Sequence, residues 1–306
     1  MYDLAILGGG PAGVSAGVYA SRKRLKTVFI TKDFQSQSTV SEGIENWIGT
    51  IKISGQDFAK SLEAHLRAYA SDVVDIRTGE YVIKLEKSGT TFKIQTDQGS
   101  YEARTVLIAT GSHRRKLTVP GADTFEHKGI TYCASCDGPL FADQDVAVIG
   151  GGNAAFESAA QLLAYCKSVT LLNRSDEFKA DPVTVKRVLE NPKMKAFLGA
   201  ELAEVRGGKF VTSLTYRDKK SGEIHELPVT GIFAEIGSIP TTEYAKDVVA
   251  LDPYGRIIVD AKTQATSTPG IWAAGDCTDG LYHQNNIAAG DALKALEDIY
   301  IYVHTR

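Results

Sequence analysis

The stretch that decides the fold is Asp3-Leu-Ala-Ile-Leu7 followed by Gly8-Gly9-Gly10-Pro11-Ala12-Gly13. An apolar run of strand length enters a G-x-G-x-x-G turn, and the alanine-rich stretch to about Arg24 reads as the helix that leaves it. Gly8 permits the tight turn, Gly10 lets backbone approach a pyrophosphate, and Gly13 lets helix pack on strand, with Pro11 and Ala12 between them. The helix N-terminus itself favours negative charge. This is the pattern of a dinucleotide-binding strand–turn–helix unit.

The same pattern recurs further along the chain. Asp145-Val-Ala-Val-Ile149 runs into Gly150-Gly151-Gly152-Asn153-Ala154-Ala155, a fingerprint of the G-x-G-x-x-A form, and residues 156–165 continue as helix. Each fingerprint should be followed by a second strand whose end recognises a ribose. The first such strand, 27–30, ends at Thr31-Lys32 with Asp33 only nearby, where an acidic residue is expected. The second, 168–172, ends at Asn173-Arg174. An acid there favours the 2′-hydroxyl of NAD and a basic residue the 2′-phosphate of NADP, so Arg174 and Lys179 lean towards NADPH over NADH.

Around these units, residues 57–69 form an amphipathic helix, and β-prone runs at 73–77, 81–86 and 91–96 read as a small antiparallel meander. Thr105-Val-Leu-Ile-Ala-Thr-Gly111 is a strand ending in a small-residue turn made by Ala109, Thr110 and Gly111. Val119-Pro120-Gly121 marks a domain crossing, and a return segment carries Gly270-Ile-Trp-Ala-Ala-Gly275-Asp276 before an apolar-striped helix over 285–302. Two separated fingerprints and a return segment that looks like neither imply an α/β protein of two Rossmann-like, three-layer ββα domains, the second inserted into the first. The expected boundaries are 1–116 with 245–306, and 117–244.

Composition narrows the function. At 306 residues the chain exceeds the usual size of one core, and 43% hydrophobic with 23% charged residues is ordinary for a globular protein. A net charge of −3 gives no electrostatic case for nucleic acid. No apolar run is long enough to span a bilayer and nothing reads as a signal peptide, so the expected location is cytoplasmic.

Between the fingerprints lies Thr131-Tyr-Cys133-Ala-Ser-Cys136-Asp137-Gly-Pro-Leu140, which holds two of the four cysteines. C-x-x-C in a βαβ context reads as a redox disulfide. Asp137, next to Cys136, is placed to give a proton to a departing thiolate or take one back. Half a zinc site is the competing reading. The six histidines are scattered singly and supply no second ligand pair, so no metal is expected. Cys166 and Cys277 read as packed thiols.

Gly8 to Gly13, Ala109-Thr110-Gly111, Cys133-Ala-Ser-Cys136-Asp137-Gly138, the Gly150 fingerprint and Ala274-Gly275-Asp276-Cys277 resemble the low-molecular-weight thioredoxin reductases. From Cys136-Asp-Gly-Pro-Leu-Phe141 onwards the chain is more similar still to the reductase portion of the alkyl hydroperoxide reductase flavoprotein subunit, without room for the extra thioredoxin-like N-terminal part of that relative. The resemblance implies an FAD domain from the first and last segments and an inserted nicotinamide domain bearing the cysteines. Gly10, Ala12 and Gly13 would sit on the FAD pyrophosphate, Gln37 and Asn46 near the flavin, and Asp276 on the ribityl chain with Gln284 beside it. Gly150, Gly152 and Ala155, with Asn153, would face the second dinucleotide. Electrons would pass from NAD(P)H to FAD, to Cys133–Cys136 (Cys136 nearer the flavin), and on to the disulfide of a thioredoxin-like or other protein, in a homodimer.

The chain also departs from the family pattern. Gln35-Ser36-Gln37 replaces Gly-Gly-Gln on the flavin loop, Asn173-Arg174-Ser175 replaces His-Arg-Arg, and His283 replaces the usual basic residue before Gln284. These departures leave a second hypothesis open, in which the second pocket holds another flavin or is idle. Electrons are then exchanged with ferredoxin or with thiols, and flow from thiol to flavin is allowed. A third, a non-enzymatic flavin redox sensor, has no need of the proton donor Asp137.

Overall fold

A computed structural model describes residues 1–41 and 43–305, with Val40 described in its backbone only. The chain divides into two compact units, Met1–His113 with Ser238–Arg306, and Arg114–Gly237. The crossings fall within the short strand Ser112–Arg114 and just before the strand Ser238–Pro240, against the expected 116/117 and 244/245. Val119-Pro120-Gly121, read as the crossing, lies inside the second unit.

In the first unit, Tyr2–Leu7 pairs in parallel with Thr27–Thr31 on one side and Ser100–Ile108 on the other. Leu4, Ala5, Ile6 and Leu7 are all fully buried, because a central parallel strand is covered on both faces. Val74–Thr78 extends the sheet in parallel beyond Thr27–Thr31, and Ile271–Ala273, from the return segment, pairs in parallel with Ser100–Ile108. The parallel order is therefore 74–78, 27–31, 2–7, 100–108, 271–273.

The expected meander needs one correction. Its first run is the parallel strand Val74–Thr78, and the meander proper is Val82–Ser88, Thr91–Thr96 and the N-terminal half of Ser100–Ile108. That last strand joins the meander to the parallel strands in one seven-stranded sheet. Ala103 pairs with Phe92 in the meander, while Val106 pairs with Ile271 in the parallel sheet.

The helix Pro11–Arg22 buries Ala12, Val14, Ala16, Val18 and Ala20 against the sheet and against Asn285–Thr305, in a core that also holds Phe29, Leu66 and Leu296. Small side chains allow that close approach, and each fully buried large apolar residue around them contributes about 1.5–3 kcal/mol. Gly55–Ala70 packs as the amphipathic helix expected over 57–69, capped by Ser54 Oγ accepting from Asp57 N.

The second unit repeats this plan. Its five parallel strands run 194–198, 168–173, 145–149, 231–234, 130–131, and a three-stranded antiparallel sheet, Ala200–Gly207, Val211–Asp218 and Ile224–Pro228, takes the meander's place. Both units thus have the expected α/β, Rossmann-like three-layer form. In each, strand order reverses beside the fingerprint strand, and the crevice outside the carboxyl ends of the strands at that point is where such sheets bind ligands.

Candidate functional site

The first fingerprint is built by contact. A Cβ on Gly8, whose φ is +117°, would stand 2.3 Å from Ala109 O, so glycine is required where the chain passes under the 109–111 turn. A Cβ on Gly13 would stand 1.9 Å from Gly8 O, so the helix can close on its own turn only without one. Gly10 differs, because its added Cβ would meet nothing nearer than Ser36 Cβ at 3.9 Å, and its φ of −76° suits any residue. Protein packing does not demand glycine there. The helix N-terminus above it has no side-chain cap, which is the arrangement that accepts a phosphate.

Beside the turn, Gln37 Nε2 donates to Asp276 Oδ2 at 3.0 Å and to Ser112 Oγ at 3.2 Å, while Gln37 Oε1 is buried with no hydrogen-bond partner among the described residues. A buried amide oxygen without a donor is costly, and a bound group bearing an N–H or O–H would satisfy it. Asp276 Oδ1 faces His283 Nδ1 at 3.4 Å. Asn46 Nδ2 donates to Gln284 Oε1 at 3.1 Å, and Asn286 Nδ2 returns to Asn46 O at 2.6 Å. Gly275 packs close to Ala12 and Ala288, since its added Cβ would lie 3.4 and 3.3 Å from their Cβ atoms. Gln37, Asn46, the 109–111 turn, Gly275, Asp276 and Gln284 thus surround one end of one sheet, with an open glycine and an unsatisfied buried oxygen. That donor set fits FAD.

Thr31, at the expected ribose position, is buried and spends its hydroxyl on Asp33 O, while Asp33 Oδ1 accepts from Gln35 N at 2.9 Å. Both side chains serve the turn they belong to.

The second fingerprint has the same logic. Gly150 has φ +146° and its added Cβ would meet Glu235 O at 2.3 Å, whereas Gly152, at φ −96°, would meet nothing within 4 Å. Asn153 Oδ1 accepts from Asp181 N at 2.7 Å. Asn173 is buried, donates to Glu177 O at 2.7 Å and Ser175 O at 3.2 Å, and presses against Gly151. It shapes its own loop. Arg174 and Lys179 are exposed and form no ion pair with any described residue, and Lys179 N is tied to Gly151 O at 2.8 Å. Two cations without an ion-pair partner among the described residues, beside an uncapped glycine turn, suit the phosphates of a dinucleotide.

Cys133 and Cys136 form a disulfide with Cα atoms 5.3 Å apart, at the start of the single helical turn Ala134–Asp137. Cys136 is exposed and Cys133 half-buried. Thr131 Oγ1 donates to Asp137 Oδ2, and Asp137 N donates to Cys133 O at 3.0 Å, so side chain and backbone of Asp137 are each tied to the motif.

Cys166 and Cys277 are fully buried, and burial pushes their pKa values up to about 11 and about 12. Neither forms a thiolate at neutral pH. After reduction and removal of the reductant, two thiols per chain should react with Ellman's reagent in native buffer and four in guanidinium. Three or more fast thiols in native buffer would contradict the packing of Cys166 and Cys277.

The pattern described as "Pyridine nucleotide-disulphide oxidoreductase" matches residues 2–292. The chain belongs to that family. It is 40% identical over 304 residues to an alkyl hydroperoxide reductase subunit of Escherichia coli K12, and 38% identical over 303 residues to a Bacillus subtilis protein named NADH dehydrogenase. Both alignments cover 99% of this chain and 58% of the relative, so the chain spans little more than half the length of these curated relatives. Solved thioredoxin reductases match end to end. That of Streptococcus pyogenes superposes with a TM-score of 0.89 at 34% identity, covering 100% of this chain and 99% of its own. That of Giardia duodenalis gives 0.92 at 31% identity, with 99% of each chain covered. The paired fingerprints and the closed cysteine pair lie within the stretch that the family pattern matches.

Sequence reading did not find Ser112 or Glu235. Ser112 is marked only by its place after the 109–111 turn, and Glu235 only as a charged residue closing an apolar strand.

Proposed function

We propose that this chain takes electrons from a nicotinamide dinucleotide, NADPH in preference to NADH, and delivers them through FAD and Cys133–Cys136 to the disulfide of a thioredoxin-like protein. The observation that carries the reading is the closed cysteine pair, with its held carboxylate, on a unit that has its own open dinucleotide turn. Homodimerisation and a cytoplasmic location belong to the same proposal. The first rests on the resemblance, the second on a sequence with no apolar run long enough to span a bilayer and nothing that reads as a signal peptide. Among the described residues, no helix is long and apolar enough to cross a membrane.

In this reading Gly8, Gly10, Pro11, Ala12 and Gly13 cradle the FAD pyrophosphate, and Gln37, Asn46, Asp276 and Gln284 hold the rest of it. Gly150, Gly152, Asn153 and Ala155 receive the second dinucleotide, with Arg174 and Lys179 on its 2′-phosphate. Bound flavin supplies the conversion of hydride chemistry to disulfide reduction. The protein's own part begins with the cysteines. Two electrons and two protons open Cys133–Cys136 to thiols, and one of them, as thiolate, attacks a sulfur of the partner disulfide. A mixed disulfide forms and a partner thiolate leaves. The other cysteine then displaces the partner's remaining sulfur, which closes the Cys133–Cys136 bond and leaves the partner as a dithiol. Asp137, next to Cys136, is placed to pass a proton to a departing thiolate or to take one back.

Anaerobic titration with NADPH and then NADH tests this. Bleaching of the flavin absorbance is expected, complete by two equivalents because flavin and disulfide each take two electrons, and sooner with NADPH. A flavin that dithiothreitol reduces but neither nucleotide does would overturn the nicotinamide step. Two flavins per chain would then name the occupant of the second pocket, and one would direct the search to a protein donor such as ferredoxin. The paired substitution Arg174→Ala, Lys179→Ala should raise KM for NADPH about tenfold or more and leave that for NADH within about twofold, since only the former loses its charge-assisted contacts.

A further inference from the structure

Glu235 is a buried carboxylate for which the electron path above has no role. It follows the strand Gly231–Ala234, and its side chain is only 6% exposed. Its backbone N donates to Ile149 O at 2.9 Å and its carbonyl lies against Gly150, so it forms the floor of the second fingerprint turn. Oε1 accepts from Ser158 Oγ, on the fingerprint helix, at 2.6 Å, and Oε2 faces Arg114 Nη1 at 3.4 Å. Burial pushes its pKa up and the nearby Glu157 adds to this, while Ser158 and Arg114 act the other way. Both of its oxygens receive donors, the arrangement of an ionised carboxylate.

The position is informative because of what an NAD(P) molecule carries. Its phosphates are anionic and are suited to the Gly152 helix end and to Arg174 and Lys179. Its one cationic part is the nicotinamide ring, and only in the oxidised form. Strands 145–149 and 231–234 are the two between which this sheet changes direction, and Glu235 stands at the carboxyl end of the second of them. The Glu235 carboxylate, its charge partly offset by Arg114 at 3.4 Å, has nothing to offer a phosphate, and a positively charged ring to stabilise.

We propose that Glu235 is a redox-state selector for the second site: its charge favours the oxidised, cationic nicotinamide over the neutral reduced ring, and so assists departure of hydride from NAD(P)H. A charge that strengthens its interaction as the ring becomes positive lowers the barrier to hydride loss. The same charge disfavours an anionic reduced flavin in this pocket. The inference rests on the nicotinamide reading above.

The test is binding to the FAD-loaded protein, which separates recognition from turnover. Dissociation constants are measured for NADP+ and for tetrahydro-NADP, whose ring is neutral and gives up no hydride, with wild type, Glu235→Gln and Ser158→Ala. Glu235→Gln should weaken NADP+ about tenfold and leave the neutral-ring analogue within about twofold, the scale of one partly screened charge. Ser158→Ala, which removes a contact and keeps the charge, should retain the wild-type ratio of the two constants. Equal losses on both ligands in Glu235→Gln, or a loss on neither, would overturn the selector. A wild-type protein that binds neither ligand would instead overturn the nicotinamide reading, and the selector with it.

Discussion

Replacing either cysteine of the pair, Cys133→Ser or Cys136→Ser, should lower turnover with a thioredoxin-like disulfide by at least about a thousandfold, the scale on which loss of a covalent nucleophile acts. Flavin content should stay near wild type, and one equivalent of nucleotide should bleach the flavin, because no disulfide remains to take a second pair of electrons. The reason is local. Both sulfurs lie in the segment Cys133–Cys136, and the turn that follows is held by backbone bonds from Cys136 N and Asp137 N to Cys133 O, which a serine oxygen does not disturb. Serine retains size and polarity and removes the one property the step needs, a sulfur that can be attacked and displaced. The two variants also differ usefully. The one that keeps the attacking cysteine accumulates a mixed disulfide with the partner, because the resolving sulfur is gone, and gel electrophoresis without reductant identifies it. Turnover within tenfold of wild type in both variants would remove the cysteines from the electron path.

Both fingerprints were legible because their information is local. Gly8 and Gly13 are needed to fit atoms within a short strand–turn–helix, so residue type and spacing carry the geometry. The run at 73–77 was misread for the opposite reason. An alternating β-prone segment beside two others looks like a meander, and nothing within it says that its partner is Thr27–Thr31, across the helix Gly55–Ala70. Parallel pairing is non-local and leaves no turn signature. The site shows the same division. That Gln37 reaches Asp276, 239 residues away, and that Ser112 joins them are consequences of the return segment folding back, which no spacing announces. The family resemblance supplied Gln37 and Asp276 as candidates but not the bond between them. Asn173 carries a further lesson. The position after the second strand was read for its charge, whereas the structure uses the side chain as a brace for residues 175–177 and leaves the charge to Arg174 and Lys179.

The glycines of the first fingerprint provide a test that separates fold from ligand. Gly13→Ala puts a Cβ 1.9 Å from Gly8 O, a backbone atom that cannot rotate away, so helix and turn must part. Overpacking of this kind costs about 1–3 kcal/mol or more, and here it pries open the junction on which the parallel sheet is assembled. Gly10→Ala puts its Cβ 3.9 Å from the nearest protein atom at a φ of −76°, so the protein itself should lose less than about 1 kcal/mol. Yet that Cβ occupies the space a pyrophosphate needs for backbone contact, and flavin affinity should fall by at least about tenfold. Thermal unfolding with and without added FAD distinguishes the two. Ligand that binds only the folded form raises Tm by mass action, so Gly10→Ala should match wild type without FAD and again once FAD is raised by the factor its affinity has lost, while Gly13→Ala melts below wild type without FAD as well. If Gly10→Ala retains full flavin through gel filtration and Gly13→Ala melts like wild type, the turn neither holds a phosphate nor organises the sheet. The flavin would then have to be sought away from the end of the strand Tyr2–Leu7.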